Sequence, residues 1–396
     1  MRVLIVSNLD SALPFGQFTR PFHLGRAMAA SGVAVGNVGL DCARVDFGPA
    51  WSIGRQRLRG FVGALRVAVG RFEPDVVYAH QNMPAFAALL ATGSVPVVAD
   101  FHSLPSVEWA SLRATAHGSQ ARGYRLAALR AEATERVVAA RCDGVVAASS
   151  ALGIEIAARF RPRRPPSVVV NGVDPAIVDA APARHSPYDT AASPGGRRAL
   201  AVMPGASSPA NRQAIQLLHD VALELRQHAQ DVTIHVLGTA EGPQASNVVY
   251  HGIQPVGAWI DHADVCLLPY PSHAIHYGGA KNKLLEYLAR GRRIVSTAEG
   301  IRGLEEVGEW PGVTVADGDA GALATAIALA CAPGAPALDP ARTAVRERLR
   351  WDVLGEGLVS VLRDVAAGND RSAWAGPPPQ ERVDARPERG DGVLRG

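Results

Sequence analysis

Lysine is almost missing from this chain. Forty side chains are basic, yet only Lys281 and Lys283 are lysine, which leaves thirty-eight arginines. Cysteine is scarce as well: Cys42, Cys142, Cys266 and Cys331 stand 100, 124 and 65 residues apart. That spacing excludes the usual zinc and thioredoxin motifs and any disulfide framework, so a reduced, cytoplasmic setting is the expectation. No stretch reaches eighteen uninterrupted apolar residues, which excludes a membrane-spanning helix. The opening Met1–Ser7 carries an apolar run of only four residues and reads as a buried first strand, not a signal peptide. Net charge is low: forty basic against thirty-seven acidic residues leave +3. A dedicated DNA-binding field is therefore excluded, and no nucleic-acid partner is expected.

What remains is a core-forming composition, with 47% hydrophobic and 19% charged residues over 396 positions. At about 150 residues per domain, this length suggests two domains. Short β-branched runs alternate with amphipathic stretches. Strands are expected at 2–7, 33–38, 75–79, 96–101, 144–147 and 167–170, with helices near 20–31, 56–71, 84–92, 120–141 and 150–159. Residues 176–197, rich in Ala, Pro and Ser, read as a linker. The pattern then restarts, with strands at 199–203, 232–237, 248–251, 265–268, 293–296 and 313–316. Helices accompany them at 209–228, 280–290, 319–331 and 339–348, and a last amphipathic helix runs from 351 to about 367. Such alternation implies α/β architecture: two Rossmann-like domains (1–175 and 198–350) facing a central cleft, with helix 351–368 returning to the first domain. Residues 369–396, with three consecutive prolines and few apolar positions, are expected to be disordered.

Ligands of open parallel sheets sit beyond the carboxyl ends of the strands. The segment GGAKNKLLEYLARGRRIVST, residues 278–297, fits that place. Gly278 and Gly279 allow close backbone approach, and Asn282 lies between the two lysines at the start of a helix. Its unpaired N–H groups and dipole suit a phosphate. Glu286 lies three residues past Lys283 on the same face, where a carboxylate can accept from ribose hydroxyls. A lysine ammonium is a compact point charge, unlike the wide guanidinium fork. Two lysines held side by side in an arginine-dominated chain point to a site shaped for the smaller cation.

The segment resembles the donor-binding motif of retaining GT-B glycosyltransferases of the family 4, group 1 type. Five further segments are similar to that family in order and spacing: Asp143–Ser149 (DGVVAAS), Val169–Asp174 (VVNGVD), Pro209–Leu218 (PANRQAIQLL), Val236–Gly238 and Ala263–Pro269 (ADVCLLP). The resemblance implies transfer of a sugar from a nucleoside diphosphate donor, a UDP- or GDP-sugar of undetermined base, to a hydroxyl acceptor with retention. Lys281, Lys283 and Arg212 would stabilise the leaving diphosphate. No carboxylate pair is expected to hold a divalent ion, so no metal is required. His102, after the fourth strand, takes the place of a histidine that contacts the donor sugar. Gly16 and Gln17 resemble the family's glycine loop, beside diphosphate or acceptor, and Arg20 could guide an anionic acceptor or be a plain surface charge. Two departures stand out. Gly278 replaces the first of two glutamates, and Ala206 and Asn211 replace an Arg and Lys pair. They keep open a non-catalytic protein that binds a nucleotide sugar or a partner, and a nucleotide-sugar epimerase. The basic stretches at 55–71 and 113–141 suit either crossover helices or contact with anionic lipid at the inner face of a membrane.

Overall fold

The computed structural model describes residues 1–8, 19–54, 56–114, 116–189, 196–203, 209–228, 231–239, 242–272, 278–332 and 339–368. The tail 369–396 and the loop holding Gly16 and Gln17 lie outside them, as does Ala206. Two all-parallel sheets form. The first has seven strands: β1 (Arg2–Val6), β2 (Ala34–Gly39), β3 (Ala50–Ser52), β4 (Val76–His80), β5 (Val97–Phe101), β6 (Gly144–Ala147) and β7 (Ser167–Val168), in spatial order 3-2-1-4-5-6-7. The second has six: β8 (Arg197–Val202), β9 (Val232–Leu237), β10 (Val248–Tyr250), β11 (Val265–Leu268), β12 (Ile294–Thr297) and β13 (Val313–Ala316), in order 10-9-8-11-12-13.

Strand order reverses at β1/β4 and at β8/β11, the two crevices where open sheets bind ligands. Central strands read as continuous apolar runs because helices cover both faces. VVYAH of β4 and VVADF of β5 are buried at every position. The covering helices in the first domain are α1 (Thr19–Ala30), α2 (Leu58–Phe72), α3 (Asn82–Ala91), α4 (Pro105–Ala114), α5 (Gly118–Arg141) and α6 (Ser150–Phe160). Every expected strand forms; β3 and α4 are additions.

The stretch expected as a linker contributes α7 (Pro175–Val178), capped by Asp174, whose carboxylate accepts from Ala176 N at 2.9 Å. Val178 and Tyr188 are buried in the second domain's core. That domain adds α8 (Pro209–Gln227), α9 (Val256–His262), α10 (Asn282–Ala289), α11 (Ala298–Ile301), α12 (Ala320–Ala330) and α13 (Asp339–Arg348). The chain then crosses back. Val173 and Arg350 form an isolated bridge, and α14 (Trp351–Ala366) lays Trp351, Leu358, Val359, Leu362 and Val365 against Val3, Ile5, Leu24 and Met28. Burying a large apolar side chain contributes about 1.5–3 kcal/mol, so α14 belongs energetically to the first domain. His23 stacks on Trp351 at 5.6 Å, beside the crossing.

Candidate functional site

Helix α10 begins two residues later than the sequence suggests: Lys281 is its N-cap, in extended conformation, and Lys283 lies in its first turn. The two lysines differ in surroundings. Lys281 is nearly buried and has a partner: its ammonium donates to the Glu299 carbonyl and stands 3.8 Å from that residue's carboxylate. Burial draws it down to about 8, with Glu299 opposing. Lys283 has no carboxylate within ion-pair distance among the described residues. Its Nζ donates to the Tyr270 hydroxyl at 2.6 Å and lies 3.8 Å from Met203 Sδ. Burial first, and Lys281 second, draw it down to about 7. Both ammonium groups lie over the Tyr270 ring, 4.9 and 5.2 Å from its centroid. Tyr270 in turn donates to Asn211 Oδ1 at 3.0 Å. Asn211 thus reaches Lys283 through a phenol. Neither Tyr270 nor this use of Asn211 was evident in the sequence; the only signal was that Tyr270 follows β11 at its carboxyl end.

Glu286 is partly buried on the same helix. Burial raises its carboxyl, Arg290 opposes at 3.8 Å, and Asp261 adds to the rise. Arg290 is itself bound to Asp261 at 2.9–3.0 Å, so Glu286 keeps a carboxylate that is only weakly neutralised. Arg212 is exposed in the first turn of α8.

Across the seam, Arg20 departs most from expectation. It is not a surface charge. Its Nε and Nη2 grip Asp100 at 2.7 and 2.9 Å, and Nη1 donates to Val170 O and Asn171 Oδ1 at 3.0 and 3.2 Å. Asp100 is fully buried and also accepts from Tyr78 at 2.5 Å. Burial would raise its carboxyl, but Arg20 outweighs that and holds it below the ordinary range. His102 stacks on His80 at 5.1 Å, with Gln81 against its ring nitrogens. Burial holds His102 well below the usual imidazole value, and His80 falls to about 4 for the same reason, so both are neutral at pH 7. A neutral imidazole can donate to a sugar hydroxyl without adding charge.

The glycines lie where the domains meet. Ser149 donates to Gly278 O at 2.5 Å, and Asn282 to Thr19 Oγ1 at 3.2 Å. Gly303, at φ +91°, backs the same segment: a Cβ there would fall 2.5 Å from Ala280 N. Against the expectation of no carboxylate pair, the chain has an Asp-x-Asp, Asp317-Gly318-Asp319. It follows β13 at the sheet edge, where Asp319 caps α12 by accepting from Ala322 N at 2.8 Å.

Two family descriptions match in order: Glycosyltransferase Family 4 over residues 19–177, and Glycosyl transferases group 1 over 198–332. The chain belongs to the family 4, group 1 glycosyltransferases. Together the matches cover most of both domains, leaving out β1, α13 and α14, and they contain the lysine helix and the Arg20 cluster. No curated protein matches this glycosyltransferase by sequence. Solved structures match by fold. Sucrose-phosphate synthase from Thermosynechococcus elongatus aligns with TM-score 0.72 and 16% identity, over 93% of this chain and 99% of its own. HepE from Anabaena, in complex with UDP and glucose, aligns with TM-score 0.65 and 17% identity over 92% and 100%. WaaG, a glycosyltransferase involved in lipopolysaccharide biosynthesis, aligns with TM-score 0.62 and 15% identity over 91% and 99%. The shared architecture is GT-B.

Proposed function

We propose that this chain moves a sugar from a nucleoside diphosphate donor to a hydroxyl acceptor, with retention of configuration and without a divalent ion. The observation that carries this reading is Lys283: a partly buried ammonium at a helix start, facing a phenol and a second lysine but, among the described residues, no carboxylate. Such a group lacks its anion, and a diphosphate supplies one. In this reading Glu286 accepts from the ribose hydroxyls, one turn along the same helix. Charge develops on the leaving diphosphate as the glycosidic bond breaks, so Lys283 and the α10 amides act chiefly in the transition state. Lys281, already paired with Glu299, contributes by raising the local potential and keeping Lys283 in need of an anion. In this reading His102 contacts the donor sugar, and Gly16 and Gln17 serve the diphosphate or the acceptor. The UDP and glucose held by HepE make UDP-sugars the first donors to try, before GDP- and dTDP-sugars.

Mass spectrometry of intact donors after incubation tests the reading: transfer or slow hydrolysis is expected. Tight binding with no turnover would instead favour a non-catalytic nucleotide-sugar binder. Glu286→Ala should weaken donor binding by about 1.5–3 kcal/mol, the scale of a charged hydrogen bond, with thermal stability little changed. Undiminished affinity in that variant would remove the ribose role.

The acceptor side carries a second proposal, contact with anionic lipid. On α5, Leu126, Leu129, Ala133, Val137 and Ala140 fall in one outward row at helical spacing. Leu126, Leu129 and Val137 are 48, 56 and 42% exposed, far from a core role. Arg125 and Arg136 flank the row on one side, Arg130 and Arg141 on the other, all exposed. An apolar ridge between arginines suits an acidic headgroup layer. Vesicles containing phosphatidylglycerol should sediment the protein and neutral phosphatidylcholine vesicles should not. Leu126→Ser with Leu129→Ser should abolish the effect; retention by the variant, or equal binding to neutral vesicles, would refute it.

A further inference from the structure

The V-V-N-G-V-D segment is used by neither the donor nor the lipid reading, yet its asparagine joins the two domains. Asn171 Oδ1 accepts from Arg20, and Asn171 Nδ2 donates to the Ala280 carbonyl at 2.8 Å. A guanidinium can only donate and a peptide carbonyl can only accept, so the amide has one orientation that satisfies both ends. Arg20 is fixed in turn by its two-point grip on the fully buried Asp100. A planar fork held at two points has little freedom left, and its third nitrogen therefore aims Asn171. The target is well placed: Ala280 immediately precedes Lys281, the N-cap of the helix that carries Lys283. The fit is close. A Cβ at Gly279 would fall 2.9 Å from Asn171 Nδ2 and 3.0 Å from Ala148 Cβ.

We propose that Asn171, aimed by the Arg20–Asp100 pair, is a positioning residue: it latches the 278–280 segment to the first domain and so fixes where Lys283 stands. The effect on donor binding rests on the function proposed above; the latch itself does not. Asn171→Asp separates the two ends of the amide. The carboxylate keeps Arg20 satisfied but turns an acceptor toward the Ala280 carbonyl. Asn171→Ala removes both bonds. Nitroxide labels on Val67→Cys in α2 and Leu329→Cys in α12, both more than half exposed, report the interdomain distance by electron–electron double resonance. The four native cysteines are buried and should stay unlabelled.

Without ligand, the parent should give a narrow distribution. Asn171→Asp should broaden it toward longer distances at least as much as Asn171→Ala, while melting no lower than Asn171→Ala. A purely structural asparagine would reverse that order, with opening greatest in the less stable Asn171→Ala variant. That reversal, or an unchanged distribution in both variants, overturns the latch. Calorimetry with UDP as probe should show roughly fivefold weaker binding to Asn171→Asp, the loss of one neutral hydrogen bond. UDP binding as tight as the parent's would sever the latch from the donor site. If the parent itself does not bind UDP, the donor reading fails and the distance measurement alone decides the latch.

Discussion

At the scale of single residues, Lys283 holds its proton poorly because a hydroxyl and a thioether replace the water and carboxylate that usually surround a lysine. Its value of about 7, against an ordinary 10.5, makes stability depend on pH in a stated direction. Between pH 7 and 10.5 the unfolded chain binds a proton there that the folded chain lacks, so stability rises with pH across that window. Below pH 7 both states are protonated and the full cost of burying the charge is present. Lys281, at about 8, adds a slope of the same sign between 8 and 10.5. Lys283→Met should therefore be more stable than the parent at pH 7 without ligand, and its denaturation midpoint should rise less from pH 7 to 10. A bound diphosphate would restore the proton. Donor affinity should then fall as pH climbs from 7 to 9, with proton uptake seen as a buffer-dependent binding enthalpy. An equal pH slope in parent and Lys283→Met would show that this lysine is not the titrating group.

At the scale of elements, periodicity and turn chemistry made most of the architecture legible. Buried parallel strands such as β4 and β5 are apolar throughout, and amphipathic helices such as α8 and α14 show one apolar face, so each declares itself locally. Apart from the ten-residue α4, what escaped was short or dependent on distant partners. Strand β3 has three residues and exists because β2 lends it an edge. Helix α7 has four, started by Asp174 and Pro175. In the site, the lysines, Glu286 and the glycines were readable because they lie within nine residues on one turn and helix. Arg20 could not be read in the same way: Asp100, which buries it, stands eighty residues away, and the fold alone brings them together. Tyr270 was hidden for a similar reason. Its ring matters only after β11 and α10 are packed side by side, when one phenol can meet Lys283 and Asn211 at once.

At the scale of the whole molecule, the backbone of residues 278–280 lies at the seam between the two domains, and Gly278 shows what that requires. The resemblance places a glutamate here, near the donor sugar. A Cβ at this position would lie 2.8–3.1 Å from the terminal carbons and Cγ of Leu152, the third residue of α6. Leu152 is anchored, because its own N–H is bound by Ser149 Oγ, the same oxygen that donates to Gly278 O. The missing carboxylate is thus tied to a close approach between the domains. Introducing it should not add activity; it should wedge the seam. Gly278→Glu is expected to lower turnover with whatever donor the parent uses and to lengthen the interdomain distance. The wedge depends on one neighbour, so Leu152→Ala should partly reverse it. Leu152→Ala by itself should cost about 2–5 kcal/mol for the cavity left in the core. In the double variant, the interdomain distance should return toward the parent's, a non-additive result for two residues in contact. Distances that simply add across the cycle would mean that Gly278 and Leu152 are not opposed. Turnover above the parent's in Gly278→Glu alone would mean that the site can still accept the carboxylate, and that the tight seam does not explain the glycine.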